Sequence, residues 1–292
     1  MKHGIIIALL CFLNLFSQGI TFPDDPSQFV EATTLNVPED YLSIQIALNA
    51  AESGDTILVQ PGTYIENIIW PETDGIKLIS AGDSSNTIID GGGVSSVIYI
   101  NPQSATIDTT TLIQGFKITN GGGISKGGGV FLKNGDIKIT QSSITNNHVS
   151  GYGGGVFIEN SKPVFDGVAI RSNSAAGEGN SYDGGGGVYT TTESEVEDGI
   201  ILRNCEIISN SSGEAGGGLR LQGQCLILNS HISYNVSRSF GGGILAGFGF
   251  NDTKITINNS TIKGNQTTRG DGASQGGGIF FDALELNISN TE

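Results

Sequence analysis

From Val130 onward the apolar residues of this chain fall into three recurring rows, with glycine and asparagine between them. Eight runs of three or more glycines occur, and six of them open a common pattern. Its first aliphatic position is Val130, Val156, Val188, Leu219, Ile244 or Ile279. A second apolar position follows at Ile139, Phe165, Leu202, Ile227, Ile257 and Ile288. Five residues on comes a third, Ile144, Ile170, Ile207, Ile232 and Ile262, and three residues after that an asparagine: Asn147, Asn173, Asn210, Asn235 and Asn265. That five-plus-three spacing never varies. Length changes only in the two gaps, from 8 to 14 residues in one and from 6 to 12 in the other, so the gaps are loops and the fixed part is scaffold.

The shortest unit is 25 residues, below the roughly 30 that a strand–helix–strand crossover needs. Short runs such as KITIN, CLILN and GGVFI read as strands separated by Gly and Asn turns. The prediction is an all-β parallel β-helix, each unit one coil stacked about 4.8 Å from the next, with the third apolar row as one internal column. Glycine then supplies a corner that needs positive φ and close backbone approach. Asparagine tolerates a left-handed bend, and its amide can bond its equivalent one coil away.

Residues 37–64 depart from the repeat. Ser43 stands where an N-cap belongs, Ile44, Ala47, Leu48 and Ala51 fall at helical spacing, and Gly54 lies past the end. A short helix there would cover the open hydrophobic end of the solenoid, with Thr56–Val59 as a strand and Pro61-Gly62 as a turn. Strand-like pieces continue through 65–120, where Ile113 and Ile118 repeat the five-residue step. Ile288 occupies the second row four residues before Glu292. The expected organisation is therefore a signal segment at 1–19, a linker at 20–36 and one β-helix domain at 37–292, continuing into further coils or an anchoring domain.

The signal segment rests on Lys2 and His3, an apolar run from Gly4 to Phe16, and Ser17 and Gly19 at a cut after Gly19. The expected location is secreted or at the cell surface. No later stretch is long and apolar enough to span a membrane as a helix. Glycine is 45 of 292 residues and charged residues only 15%, which excludes coiled coils and long helices. Removing 1–19 leaves thirteen basic against 29 acidic residues, a net charge of −16. That opposes binding to nucleic acid, whose phosphates need Lys and Arg, and is compatible with calcium or with solubility alone. Cys205 and Cys225 sit five residues out of step on neighbouring coils, too far for a disulfide, so two buried free thiols are expected.

The stretch VPEDYLSIQIALNAAESGDTILVQPGTYIENI, with TIIDGGG and LIQGFKITNG after it, resembles the start of right-handed β-helix proteins of the pectate-lyase-like superfamily over residues 37–120. The later alternation of GGG-aliphatic with ITNN, IRSN and IISN is similar to the GGA[I/L/V] and FxxN repeats of chlamydial polymorphic outer-membrane proteins, with Gly in place of the family's Ala and Ile in place of its Phe. The second resemblance implies a surface adhesin. The first leaves room for polysaccharide lyases and hydrolases, because one fold hosts many chemistries.

Stacked coils turn sequence positions into lines of neighbours, where an enzyme would gather carboxylates. In the regular part the lines pair Lys133 with Glu159, Asp166 with Arg203, and Glu206 with His231, mixed pairs that any stacked surface favours. The clustered acids lie in loops: Glu193, Glu195, Glu197 and Asp198 in one insertion, Glu178 and Asp183 in another. They form a candidate calcium site, against the plainer reading of a solvated acidic loop. His3, His148 and His231 share no metal-ligand spacing. The residues after each GGG-aliphatic, Phe131, Phe157, Tyr189, Arg220, Leu245 and Phe280, form a further row. Outward, the row would be an aromatic strip for sugar rings or a partner; inward, it would be core, and core is the preferred reading. The leading expectation is a non-catalytic adhesion or carbohydrate-binding scaffold, facing a polysaccharide or cell-surface glycan. The alternative is a polysaccharide lyase or glycoside hydrolase acting on acidic glycans.

Overall fold

The computed structural model describes residues 31–292 apart from 178, 180–182, 193–198, 248–252, 270–274 and 284. One coil shows how the chain winds. Lys138–Thr140 lies in sheet 1, Gln141 and Ser142 turn the corner, and Ser143–Thr145 enters sheet 2. Asn146 and Asn147 make the next turn into the short strand His148–Val149. Gly153–Gly155 then leads to Val156–Glu159 in sheet 3, and Val164–Asp166 returns to sheet 1 one coil further on. Among the described residues sheet 1 has ten strands, sheets 2 and 3 have eight each, and the short corner sheet has five. Each strand pairs in parallel with its counterparts in the adjoining coils. The molecule is a right-handed parallel β-helix.

The three apolar rows fall in register. Ile144, Ile170, Ile207, Ile232 and Ile262 pair in succession within sheet 2. The first four are fully buried and Ile262, near the last coil, is partly so. Ile139, Phe165, Leu202, Ile227, Ile257 and Ile288 pair likewise in sheet 1. The glycine runs have two separate causes. Gly153 has φ of +64°, a region that strains an L side chain. A Cβ on Gly155 would lie 2.6 Å from the carbonyl oxygen of Gly187 in the next coil, so the third glycine is required by proximity.

The asparagines serve only one of their two expected roles. Each side-chain amide donates to the Oδ1 of the next coil's asparagine, at 2.9 to 3.0 Å along the series from Asn147 to Asn265. The same nitrogen donates to the carbonyl of the isoleucine one coil back, as Asn210 does to Ile170. The left-handed residues are their predecessors: Asn146, Ser172, Ser209 and Tyr234. Bend and ladder are divided between neighbouring positions.

At the N-terminal end the helix Ile44–Ala50 buries Ile44, Ala47 and Leu48, and Ser43 caps it by accepting from the Ile46 N–H. Glu66 in the next segment accepts from the N–H groups of Ile44 and Gln45, satisfying two donors that a helix start leaves open. Thr34–Val37 already pairs with Thr56–Val59, so the coils begin three residues before the expected boundary. Cys205 and Cys225 are buried free thiols. Burial pushes Cys205 up to about 11 and Cys225 up to about 12, so neither is a reactive thiolate.

Candidate functional site

The row that follows the GGG-aliphatic residues decides what sheet 3 presents. In each strand the flanking residues point inward: Val130 and Leu132, and Val156 and Ile158, are fully buried members of the core. Alternation therefore sends Phe131, Phe157, Tyr189 and Arg220 to the outer face, contrary to the preferred core reading. The reading erred because the row is also shielded. Phe157 and Arg220 are 1% and 3% exposed although they point away from the interior.

The shielding comes from the rings themselves. Register places Tyr99 beside Phe131, Phe131 beside Phe157, Phe157 beside Tyr189, and Tyr189 beside Arg220. Ring centroids are 4.7, 5.3 and 5.6 Å apart along the series, with interplanar angles of 13°, 20° and 12°. The Arg220 guanidinium closes the far end, 5.1 Å from the Tyr189 ring. Because each ring face meets the next ring, a sugar could not lie flat on the inner rungs. It would meet ring edges and the Tyr189 hydroxyl.

Two walls turn the ladder into a groove. On one side, register aligns Lys133 with Glu159 and Glu159 with Thr191, and Lys133 forms an ion pair with Glu159. On the other, the glycine-corner loops bring up Ser95, Lys126, Tyr152 and Asp183. Lys126 sits 4.8 Å from the Phe157 ring centre and 5.8 Å from that of Tyr152, a cation held over aromatic faces. Two consecutive clefts share it. The first, about 300 Å³, includes Ser95, Tyr99 and Phe131; the second, about 310 Å³, includes Tyr152, Phe157, Glu159, Asp183 and Tyr189. Burial pushes the Tyr189 hydroxyl above its ordinary range, the charge of Arg220 pulls it back, and Asp183 and Glu159 push the same way as burial. It therefore remains a hydrogen-bond donor at neutral pH. Glu159 and Asp183 are both buried carboxylates on one cleft, a pairing that can accept sugar hydroxyls or, at suitable separation, work as acid and base.

Of the six calcium candidates, one is among the described residues. Asp183 lines the cleft, whereas Glu178, Glu193, Glu195, Glu197 and Asp198 lie outside the described residues. No group of three His, Cys, Asp or Glu placed to hold a metal ion occurs among those described. Sequence reasoning found Phe131, Phe157, Tyr189 and Arg220 as a row. It missed Tyr99, although the inward–outward alternation of Ile98-Tyr99-Ile100 marks the same position. It also missed Lys126 and Tyr152, although each stands one residue before a glycine run and the two pair across adjoining coils.

No family model matches the chain, and no curated protein is similar to it in sequence. Solved structures do match in fold. The pectin methylesterase from Yersinia enterocolitica is 13% identical with a TM-score of 0.52, covering 86% of this chain and 90% of that one. The Aspergillus niger pectin methylesterase is 14% identical with a TM-score of 0.51, covering 89% and 84%. At this identity the likeness establishes a shared fold: the chain is a parallel β-solenoid of the kind found in these carbohydrate-active proteins.

Proposed function

We propose that the protein is an exported glycan-binding β-helix whose site is the groove on the outer face of sheet 3, between the Tyr99–Tyr189 ladder and the Lys126, Tyr152 and Asp183 loops. The observation that carries this reading is the run of two clefts in line along the coil axis, sharing Lys126 and alternating apolar edges with polar groups. Such a lining, with few well-placed polar groups against aromatic surface, suits a sugar chain. The coil rise of about 4.8 Å is comparable with the advance of a pyranose chain, so successive units would meet successive coils. Pectin methylesterases as fold neighbours support a carbohydrate ligand. Export is supported by the charged and apolar start at Lys2–Phe16, and the likeness of the repeats to surface adhesins favours holding the glycan over cleaving it.

A second reading, cleavage of an acidic glycan, is favoured by Glu159 and Asp183 sharing one cleft with Lys126. One set of experiments tests both. Calorimetric titration with neutral and acidic oligosaccharides is expected to show binding that weakens at least tenfold in Lys126→Met and Tyr189→Phe. Unchanged affinity in both variants would remove the groove from consideration. Incubation with the same polysaccharides, following new reducing ends and unsaturated products, decides the second reading. Product formed by the native chain and abolished by Glu159→Gln or Asp183→Asn would replace binding with catalysis.

A further inference from the structure

The corner between sheets 1 and 2 carries a second feature, away from the groove on sheet 3. Its left-handed residues form a row: Gly115, Gln141, Gly167, Asn204, Asn229, Asn259 and Asn290, with φ from +46° to +83°. A Cβ on Gly115 would lie 3.1 Å from that of Ser80, and from Gln141 onward amide side chains fill every rung but one. At Gly167 the rung is missing, although a Cβ there would have room, meeting nothing nearer than the Gln141 backbone nitrogen at 3.8 Å. The glycine is thus not imposed by crowding, and its φ of +66° falls in the left-handed region that asparagine occupies, at +46° to +52°, on four other rungs of the same row. The gap opens a cavity of about 460 Å³ lined by Gln114, Thr140, Gln141, Asp166, Gly167 and Asn204. Its end walls, Gln141 and Asn204, stand two coil rises apart, about 9–10 Å, which is the space of one ring inserted between them.

The lining chemistry names the ligand class. Thr140 donates to Gln114 Oε1 at 3.3 Å, and Asn204 donates to Asp166 Oδ1 at 2.8 Å. Among the described residues the Gln141 amide makes no side-chain hydrogen bond and Asp166 Oδ2 accepts none. The cavity therefore offers an amide with donor and acceptor beside a carboxylate oxygen, the set that grips adjacent hydroxyls. Asp166 has Arg203 as its register partner in the next strand, so the one carboxylate of the lining has a cationic neighbour and a bare cation is not favoured. No aromatic ring lines it.

We propose that this gap is a binding site for a single neutral sugar residue, with the ring in the place of the missing rung and two adjacent hydroxyls on Asp166 and Gln141. The ligand is small and the cavity open, so the affinity is on the order of a millimolar Kd. Saturation-transfer NMR on the full chain, with the methyl glycosides of glucose, galactose, mannose and N-acetylglucosamine at about 50 mM, tests it. At least one glycoside is expected to bind. That binding is expected to fall at least tenfold in Gly167→Asn, which restores the rung, and in Asp166→Asn, with both variants unfolding within a few degrees of the native chain. Lys126→Met, in the sheet 3 groove, is expected to leave it unchanged. No binding by any of the four, or binding that survives Gly167→Asn, overturns the proposal. Loss of binding in Lys126→Met assigns the signal to the other groove and overturns it equally.

Discussion

Asn210 shows how one residue type serves a solenoid. Its Nδ2 donates to Ile170 O and to Asn235 Oδ1, and its Oδ1 accepts from the Asn173 backbone N–H and side chain. All of this is buried, so truncation strands several polar groups at once, each costing about 1–3 kcal/mol. Asn210→Ala is expected to lower stability by about 3 kcal/mol in denaturant unfolding. Asn265→Ala, at a partly exposed rung, is expected to cost less. Equal losses at the two positions would contradict a ladder whose strength depends on burial. The ladder was legible because one residue type recurred at an unvarying offset. The division between bend and amide was not, since Asn146, Ser172, Ser209 and Tyr234 share a backbone conformation without sharing a side chain.

Among the elements, the N-terminal helix is held by contacts the repeat does not contain. Gln45 accepts from the Ile69 N–H and donates to its carbonyl, acting as a surrogate strand on the first edge of sheet 3 and blocking further pairing there. Gln45→Ala is expected to leave the core intact and speed amide exchange at Ile69, measurable by hydrogen exchange. A loop offers a second case. Glu72 accepts from the backbone N–H groups of Gln103, Ala105 and Ser104, and these hold its carboxyl at about 2, well below the usual range. A folded pKa below the unfolded one contributes stability above the unfolded value, which is lost as pH falls from about 4.5 toward 2. Glu72→Gln is therefore expected to flatten the acid limb of a thermal-unfolding series over that window; an identical limb would rule the contact out as a contributor. The glycine corner belongs to this scale too. Gly155→Ala forces a carbon toward the Gly187 carbonyl and is expected to cost about 1–3 kcal/mol, as overpacking does.

Across the whole molecule, stacking makes every coil position a line. That is why the fold could be read from spacing alone, down to the pairings of Lys133 with Glu159 and Asp166 with Arg203. The site was less accessible. Phe131, Phe157, Tyr189 and Arg220 emerged as a row, but period-two alternation cannot say which set faces in when both are apolar. Here the outer set is apolar because stacked rings bury one another's faces. The residues that complete the groove, Lys126, Tyr152 and Asp183, share the position just before a glycine run, but their side chains differ in type, so the position carries no residue signature. The most direct measurement is a crystal structure of the protein with a bound oligosaccharide that titration has shown to bind. The account predicts a sugar chain running along the coil axis in the sheet 3 groove, with units against Phe131 and Tyr189 and contacts to Lys126 and Asp183. A chain bound elsewhere, with the groove empty, would contradict it.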